Sequence, residues 1–165
     1  MEADEKPDRK AELNAGLRSL RQDGGNGSHL IVSADDIYVQ VALSSEEEKA
    51  HVEAVSNDFL PDDLQLSDEK INRLKTLGYA APKDDGAGSP NFHQELPVSS
   101  PADLDGIARL VFETLETVYD VSPDEDLDID VTLESKDGTD GGAGGGCFGI
   151  ILILLTIAAL AGSLL

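Results

Sequence analysis

Positive charge, cysteine and long apolar runs are all scarce in this chain of 165 residues. Only 12 lysines and arginines stand against 33 aspartates and glutamates, a formal net charge of -21. A surface that negative repels phosphate backbones, which argues against nucleic acid as a partner. It fits a basic partner surface, a salt-rich cell interior or, most simply, a chain kept in solution by charge repulsion. The single cysteine, Cys147, rules out a disulfide within the chain and leaves the redox compartment unread. The N-terminus, "MEADEKPDRKAELNAGLRSL", is charged from its second residue and lacks the apolar core of a secretory signal. Translation is therefore expected to finish in the cytoplasm.

The one long apolar run comes last. "GGAGGGCFGIILILLTIAALAGSLL", residues 141–165, contains no charged side chain. As a helix, Phe148 to Leu165 would span about 27 Å against a hydrocarbon core of about 30 Å, just sufficient to cross. Backbone amides cannot go unpaired in lipid, so such a segment must enter as a helix, and Thr156 and Ser163 can bond back to carbonyls one turn earlier. Residues 147–165 are read as a transmembrane tail anchor. A sorting signal cut or lipidated near "GGAGGGC" is the second reading, although such tails usually finish in a basic cluster and this one finishes "GSLL". A buried or swapped core helix is the third, but core helices are amphipathic and this run is apolar on every face. No lysine or arginine flanks the run, the nearest being Lys136, and no aromatic belt follows Phe148, so the positive-inside rule gives no orientation. The missing signal peptide alone puts the N-terminal domain on the cytoplasmic side of a single-pass membrane protein. Cys147 sits where a palmitoylated juxtamembrane cysteine would, with an unmodified thiol as the plainer reading.

Without the tail, about 140 residues are left, enough for one small domain. "ESKDGTDGGAGGG", residues 134–146, reads as a flexible tether. In residues 1–27, "DRKAELNAGLRSLRQ" sets Leu13, Leu17 and Leu20 along one helical stripe and stops at the breaker "DGGNGS". Residues 28–133 form the main domain. "HLIVSADDIYVQVAL" reads as a hairpin turning at "SADD", with Ile37, Val39, Val41 and Leu43 alternating with Tyr38, Gln40 and Ala42. "AHVEAVSN" supplies a third strand, Val52 and Ala54 inward, His51, Glu53 and Val55 on the other face. "PKDDGAGSPN" looks like a surface loop.

A helix is expected from the N-cap Ser67, with Ile71, Leu74 and Leu77 inward, to Gly78. "SPADLDGIARLVFETLETVYDV" is the clearest helix: Ser100 caps, Pro101 fits the first turn and Asp103 completes a capping box. Its stripe of Leu104, Ile107, Ala108, Val111, Leu115 and Val118 should cover the sheet. Finally "DLDIDVTLE" alternates Leu127, Ile129, Val131 and Leu133 with Asp126, Asp128, Asp130 and Thr132, a fourth strand whose acidic face guards a sheet edge.

The run "HVEAVSNDFLPDDLQLSDEKINRLKTLGYAAP", then "SPNFHQEL", then "LDGIARLVFETLETVYDVSP" resembles the YbjN-like, type III secretion chaperone-related domains of TY-Chap type common in actinobacteria. The likeness covers Ile37 to Val131 and rests on four short motifs in the right order: "EAVSN.FL", "L..LGW..P", a "PN" turn with an aromatic, and a long helix ending "L.EVYGV". Tyr79 stands where tryptophan is usual and Asp120 where glycine is usual; the family is not one associated with a membrane tail. What the resemblance implies is an α+β fold, a small antiparallel sheet with helices on one face, that binds polypeptide and has no assigned catalytic residues.

The residues themselves indicate no active site. His29, His51 and His93 are scattered without a second ligand at metal spacing. Asp126, Asp128 and Asp130 spread along a strand and lack the glycine and glutamate of a calcium loop. No glycine run is followed by Lys-Ser or Lys-Thr, Cys147 has no adjacent histidine, and no serine sits in a nucleophile elbow. No metal or other cofactor is therefore expected. The favoured expectation is a non-catalytic, membrane-tethered, chaperone-like module with an unidentified protein partner. "EAVSNDFL" and "PNFHQEL" would form its groove rim, with Phe59, Tyr79 and Phe92 as candidate contacts, although aromatics at such points also serve as core. An enzyme or small-ligand sensor, and a surface protein with a processed tail, are the alternatives.

Overall fold

Asp8 starts the first helix: its carboxylate accepts from the backbone N–H of Lys10 (3.1 Å) and Ala11 (3.3 Å) in the computed structural model, which describes residues 8–83 and 88–136. From this cap runs α1 (Arg9–Asp23), followed by β1 (His29–Ala34), β2 (Ile37–Ala42), β3 (Lys49–Ala54), α2 (Asp68–Thr76), β4 (Phe92–Pro97), α3 (Pro101–Thr117) and β5 (Asp128–Thr132). The fold is α+β, a five-stranded antiparallel sheet in the order β4-β3-β2-β1-β5.

The hairpin turns through Asp35 and Asp36, with Asp35 in the left-handed region (φ 50°) that aspartate tolerates better than most residues. Ala34 then faces Ile37, Val32 faces Val39 and Leu30 faces Val41. That register puts Leu30, Val32, Ile37, Val39 and Val41 on one face and Ile31 and Tyr38 on the other. Ala50, Val52 and Ala54 of β3 continue the first face, and all of its side chains named here are buried.

Helices cover that face alone. Leu13, Leu17 and Leu20 of α1 and Leu104, Ile107, Ala108, Val111 and Leu115 of α3 are buried in one core with it, as the apolar stripes predict. Gly16 lets α1 settle on the sheet: a Cβ there would lie 2.5 Å from Leu30 Cδ1 and 3.0 Å from Val131 Cγ2. Asp103 accepts from the backbone N–H of Ser99 and Ser100, both at 2.8 Å, so the expected acidic cap of α3 forms. Helix α2 ends at Gly78 (φ 98°), where Tyr79 N–H reaches Leu74 O (3.1 Å) and Gly78 N–H reaches Lys75 O (3.1 Å). This pairing turns Tyr79 back into the core.

Four local expectations are corrected. Phe92–Pro97, read as a turn with an aromatic, is a strand paired with β3 from Ala54↔Phe92 to Lys49↔Pro97, so the sheet has five strands where four were expected. Val55 does not join the outer face of β3; the strand ends at Ala54, and Val55 is buried with its carbonyl accepting from Tyr119 Oη at 2.6 Å. The apolar side of β5 is only half covered, Ile129 and Val131 being partly buried and Leu133 exposed, because only α1 lies over this edge. Ile71 and Leu77 pack at the margin of the core, leaving Leu74 as the buried anchor of α2.

Both departures from the family pattern have a structural place. Asp120 adopts φ 57°, a conformation that suits glycine, and its carboxylate pairs with Lys70 Nζ at 2.6 Å. Tyr79 is buried with its hydroxyl 3.1 Å from Thr114 Oγ1. Among the described residues no helix is long and apolar enough to cross a membrane. The expected anchor and Cys147 lie outside the described residues, as does residues 137–146 of the tether.

Replacing Gly16 with valine should overpack the contact of α1 with β1 and β5. The expected cost is about 1–3 kcal/mol, read as a lower urea midpoint with an unchanged slope.

Candidate functional site

The chain segments "EAVSNDFL" and "PNFHQEL" meet at one end of the sheet. Ser56 N–H donates to Asn91 Oδ1 (3.1 Å), and Ser56 Oγ–H donates to Pro90 O (2.9 Å). Asn57 clasps the far side of the same loop, its amide nitrogen donating to Leu66 O (3.1 Å) while its oxygen accepts from Leu66 N–H (2.7 Å). These bonds fix the turn of residues 56–59 above a cavity of about 230 Å³ lined by Ser56, Asn57, Asp58, Ile71, Pro82 and Phe92.

The three aromatic candidates are placed differently. Phe92 is buried and lines this cavity. Phe59, on the adjoining turn, is 43% exposed. Tyr79 is enclosed by the core, and burial pushes its hydroxyl up to about 12 against the opposing bond to Thr114. Phe59 and Phe92 thus belong to the same region, and Tyr79 belongs to the core, bonded to α3 through Thr114.

The second feature is the sheet face that carries no helix. Across it lie Gln40, Glu53 and His93 in one row and Ala42, His51 and Glu95 in the next. His51 Nε2 is 2.9 Å from Glu53 Oε1, and the rings of His51 and His93 stack with centroids 5.9 Å apart. Asn91 Nδ2 donates to Glu53 Oε2 (3.3 Å) and to Tyr38 Oη (3.1 Å), so the side chain that holds the Ser56 turn also ties in this polar face. The hydrogen bond to Glu53 raises the His51 pKa against the opposing effect of burial, with further help from the charges of Glu53, Glu95 and Glu47. Burial would raise Glu53, but its bonds from His51, Ser89 and Asn91 prevail and hold it below the usual carboxylate value.

The third feature is the sheet edge. Ala34 and Ile37 flank a two-residue turn and therefore form a hydrogen-bonded pair, and alternation extends this to Val32 and Leu30. Ile31 and Ser33 then turn their backbone groups toward Asp130 and Asp128 of β5. By the same alternation Ile129 and Val131 direct N–H and C=O away from the sheet. Among the described residues no strand pairs with that outer side of β5. The opposite edge is partly blunted: Ala80 takes His93 through bonds of 2.8 and 3.1 Å, and Pro97 has no N–H to offer. Exposed Asp128 and Asp130 flank the open edge. Sequence reading found this acidic strand but could not show which of its backbone groups were free.

Nothing among the described residues groups three or more histidine, cysteine, aspartate or glutamate side chains for a metal ion. The family model described as "T3SS (YopN, CesT) and YbjN peptide-binding chaperone 3" matches residues 9–132. No curated protein and no solved structure matches the chain.

The His51–Glu53 pair has a defined pH window. The raised His51 pKa gives stability that is full below the ordinary histidine value of 6.5 and is lost as pH rises through the folded value. The lowered Glu53 pKa gives stability that is present above the ordinary 4.5 and is lost as pH falls through the folded value. A double-mutant cycle with His51→Gln and Glu53→Gln should therefore show its largest coupling between pH 4.5 and 6.5. Screening at this half-exposed site limits that coupling to about 0.5–1 kcal/mol, fading as pH rises through the folded His51 value.

Proposed function

The chain belongs to this family of peptide-binding chaperones, and from that premise we propose that it is a membrane-tethered module that takes up an extended, basic segment of a protein partner along β5. The coarser part of this reading, a non-catalytic protein-binding domain, follows from the family. One observation carries the finer part: the outward N–H and C=O groups of Ile129 and Val131, on a strand flanked by Asp128 and Asp130.

An added strand gains affinity from main-chain bonds and selectivity from alternate side chains. A partner strand beside β5 would bring every second side chain next to Asp128 and Asp130. Lysine or arginine there is attracted, and acidic residues are repelled. The same carboxylates disfavour pairing with a second copy of β5, since two copies would set like charges side by side. The net charge of -21 extends this preference by steering basic segments toward the domain, more strongly at low salt.

The tether and anchor come from the sequence. Residues 134–146 are rich in glycine, and Phe148 to Leu165 has the length and composition of a spanning helix. A binding strand that ends at Thr132 is followed directly by this tether, which would keep the open edge near the bilayer.

Two experiments test the halves separately. With the 15N-labelled full chain in detergent micelles, the peptide Ac-Lys-Val-Lys-Val-Lys-Val-NH2 should shift and protect the Ile129 and Val131 amides. N-methylation at alternate peptide nitrogens should abolish this, and a peptide that leaves both amides unprotected would remove the edge reading. In fractionated cells the full chain should resist carbonate extraction from membranes, and deletion of residues 148–165 should release it; a full chain already in the soluble fraction would remove the tether.

A further inference from the structure

We infer that the cavity under the Ser56–Phe59 turn is a second binding site, a socket for one large apolar side chain flanked by basic residues on a partner polypeptide. It rests on the reading that the domain binds polypeptide, but it does not depend on β5. The two places lie at opposite ends of the sheet, four strand spacings or about 19 Å apart.

Size is the first argument. An enclosed apolar hole of about 150 Å³ accepts a benzene ring, and this cavity, open on one side, offers about 230 Å³. That is room for one phenylalanine or leucine side chain. Phe92 and Ile71 supply apolar wall, Pro82 adds a rigid ring, and the polar lining at Ser56 and Asn57 has its hydrogen bonds satisfied within the protein. An apolar visitor therefore leaves those groups paired, and desolvating them costs little.

Rigidity is the second. Asn57 fixes the turn to Leu66, Ser56 fixes it to Pro90 and Asn91, and Ala80 pairs with His93, so three of the four chain segments that line the cavity are pinned to one another before any ligand arrives. A preformed rim spares a ligand the cost of ordering loops. Phe59 adds apolar surface beside the opening, one of only two large hydrophobic residues exposed among the described residues.

Charge selects the occupant. Asp58 lines the opening, and Asp62 and Asp63 follow it on the same exposed loop. Lys83, next to Pro82, and Lys70, next to Ile71, are the basic neighbours of the lining residues in the chain, and Lys70 is already paired with Asp120. An apolar side chain with lysine or arginine neighbours meets the Asp58 carboxylate there, and one with acidic neighbours is repelled. The larger cleft of about 490 Å³ between α2 and the end of α3 offers no comparable apolar wall: polar and charged side chains line it, Lys70 and Arg73 among them being paired with Asp120 (2.6 Å) and Glu113 (3.3 Å).

The test is titration of the 15N-labelled full chain in detergent micelles with Ac-Lys-Phe-Lys-NH2. Shifts are expected at the amides of Ser56, Asn57, Asp58 and Ile71, absent with Ac-Lys-Ser-Lys-NH2 and weaker with Ac-Glu-Phe-Glu-NH2. Asp58→Trp should fill the opening and abolish them; Asp58→Lys, which needs no repacking at an exposed position, should weaken binding roughly fivefold. Protection of Ile129 and Val131 by the alternating lysine–valine peptide should be unchanged in both variants. The socket is refuted if the Lys-Phe-Lys peptide shifts none of the four amides, if Lys-Ser-Lys shifts them equally, or if both variants bind like the parent. Failure at β5 with binding kept here would overturn the edge reading and leave the socket standing.

Discussion

Burial of one sheet face by the apolar stripes of α1 and α3 is the constraint on which the other features depend. The stripes of α1 and α3 lie against Leu30, Val32, Val39, Val41 and Val52. Because strand side chains alternate, sealing those residues from water commits every intervening one to the opposite face. Gln40, His51, Glu53, His93 and Glu95 have no other place to go. The polar face is thus a consequence of the core, and its histidine–glutamate pairing satisfies groups that the sheet leaves side by side.

A chain of this charge must fold while holding like charges apart. It does so by exile: the acidic residues occupy turns, exposed helix positions and the outer side of β5, where water screens them. Where a carboxylate is partly enclosed, donors surround it, as His51 and Asn91 surround Glu53. Asn91 is the joint of this arrangement. One side chain accepts from Ser56 and donates to Tyr38 and Glu53, so the turn over the cavity, the polar face and β2 are held in one network. The same reasoning explains the ends of the sheet. Ala80 and Pro97 blunt β4, and carboxylates flank β5, whose outer side pairs with no strand among the described residues.

How much of this could be read beforehand varied with how local the cause was. Leu13, Leu17 and Leu20, the stripe of α3, the Asp103 cap and the Gly78 stop are all set by neighbours within a turn or two, and all formed. Strand β4 was illegible because "FHQELP" has weak alternation and a proline, and because its pairing partner β3 lies far back along the chain, from Ala54↔Phe92 to Lys49↔Pro97. Val55 looked like an outward strand residue until the hydroxyl of Tyr119, far along the chain, claimed its carbonyl. Leu133 fits the alternation without fault, yet no helix reaches over it. Of the three candidate site aromatics, nothing in the motifs separated buried Tyr79 and Phe92 from exposed Phe59.

By itself, then, the sequence determined which stretches would be helix, where they start and stop, which of their faces seek a core, and that the last strand would be acidic on one side. Those properties depend on the spacing of side chains along a single segment, and that spacing exists before any segment meets another. Tertiary structure alone decided that Phe92–Pro97 is a strand, that Ser56 and Asn91 meet, and that Ile129 and Val131 turn their backbone outward. Each of these requires two distant segments to come together, and hydrogen-bond register and enclosed volume belong to the pair of segments instead of to either one.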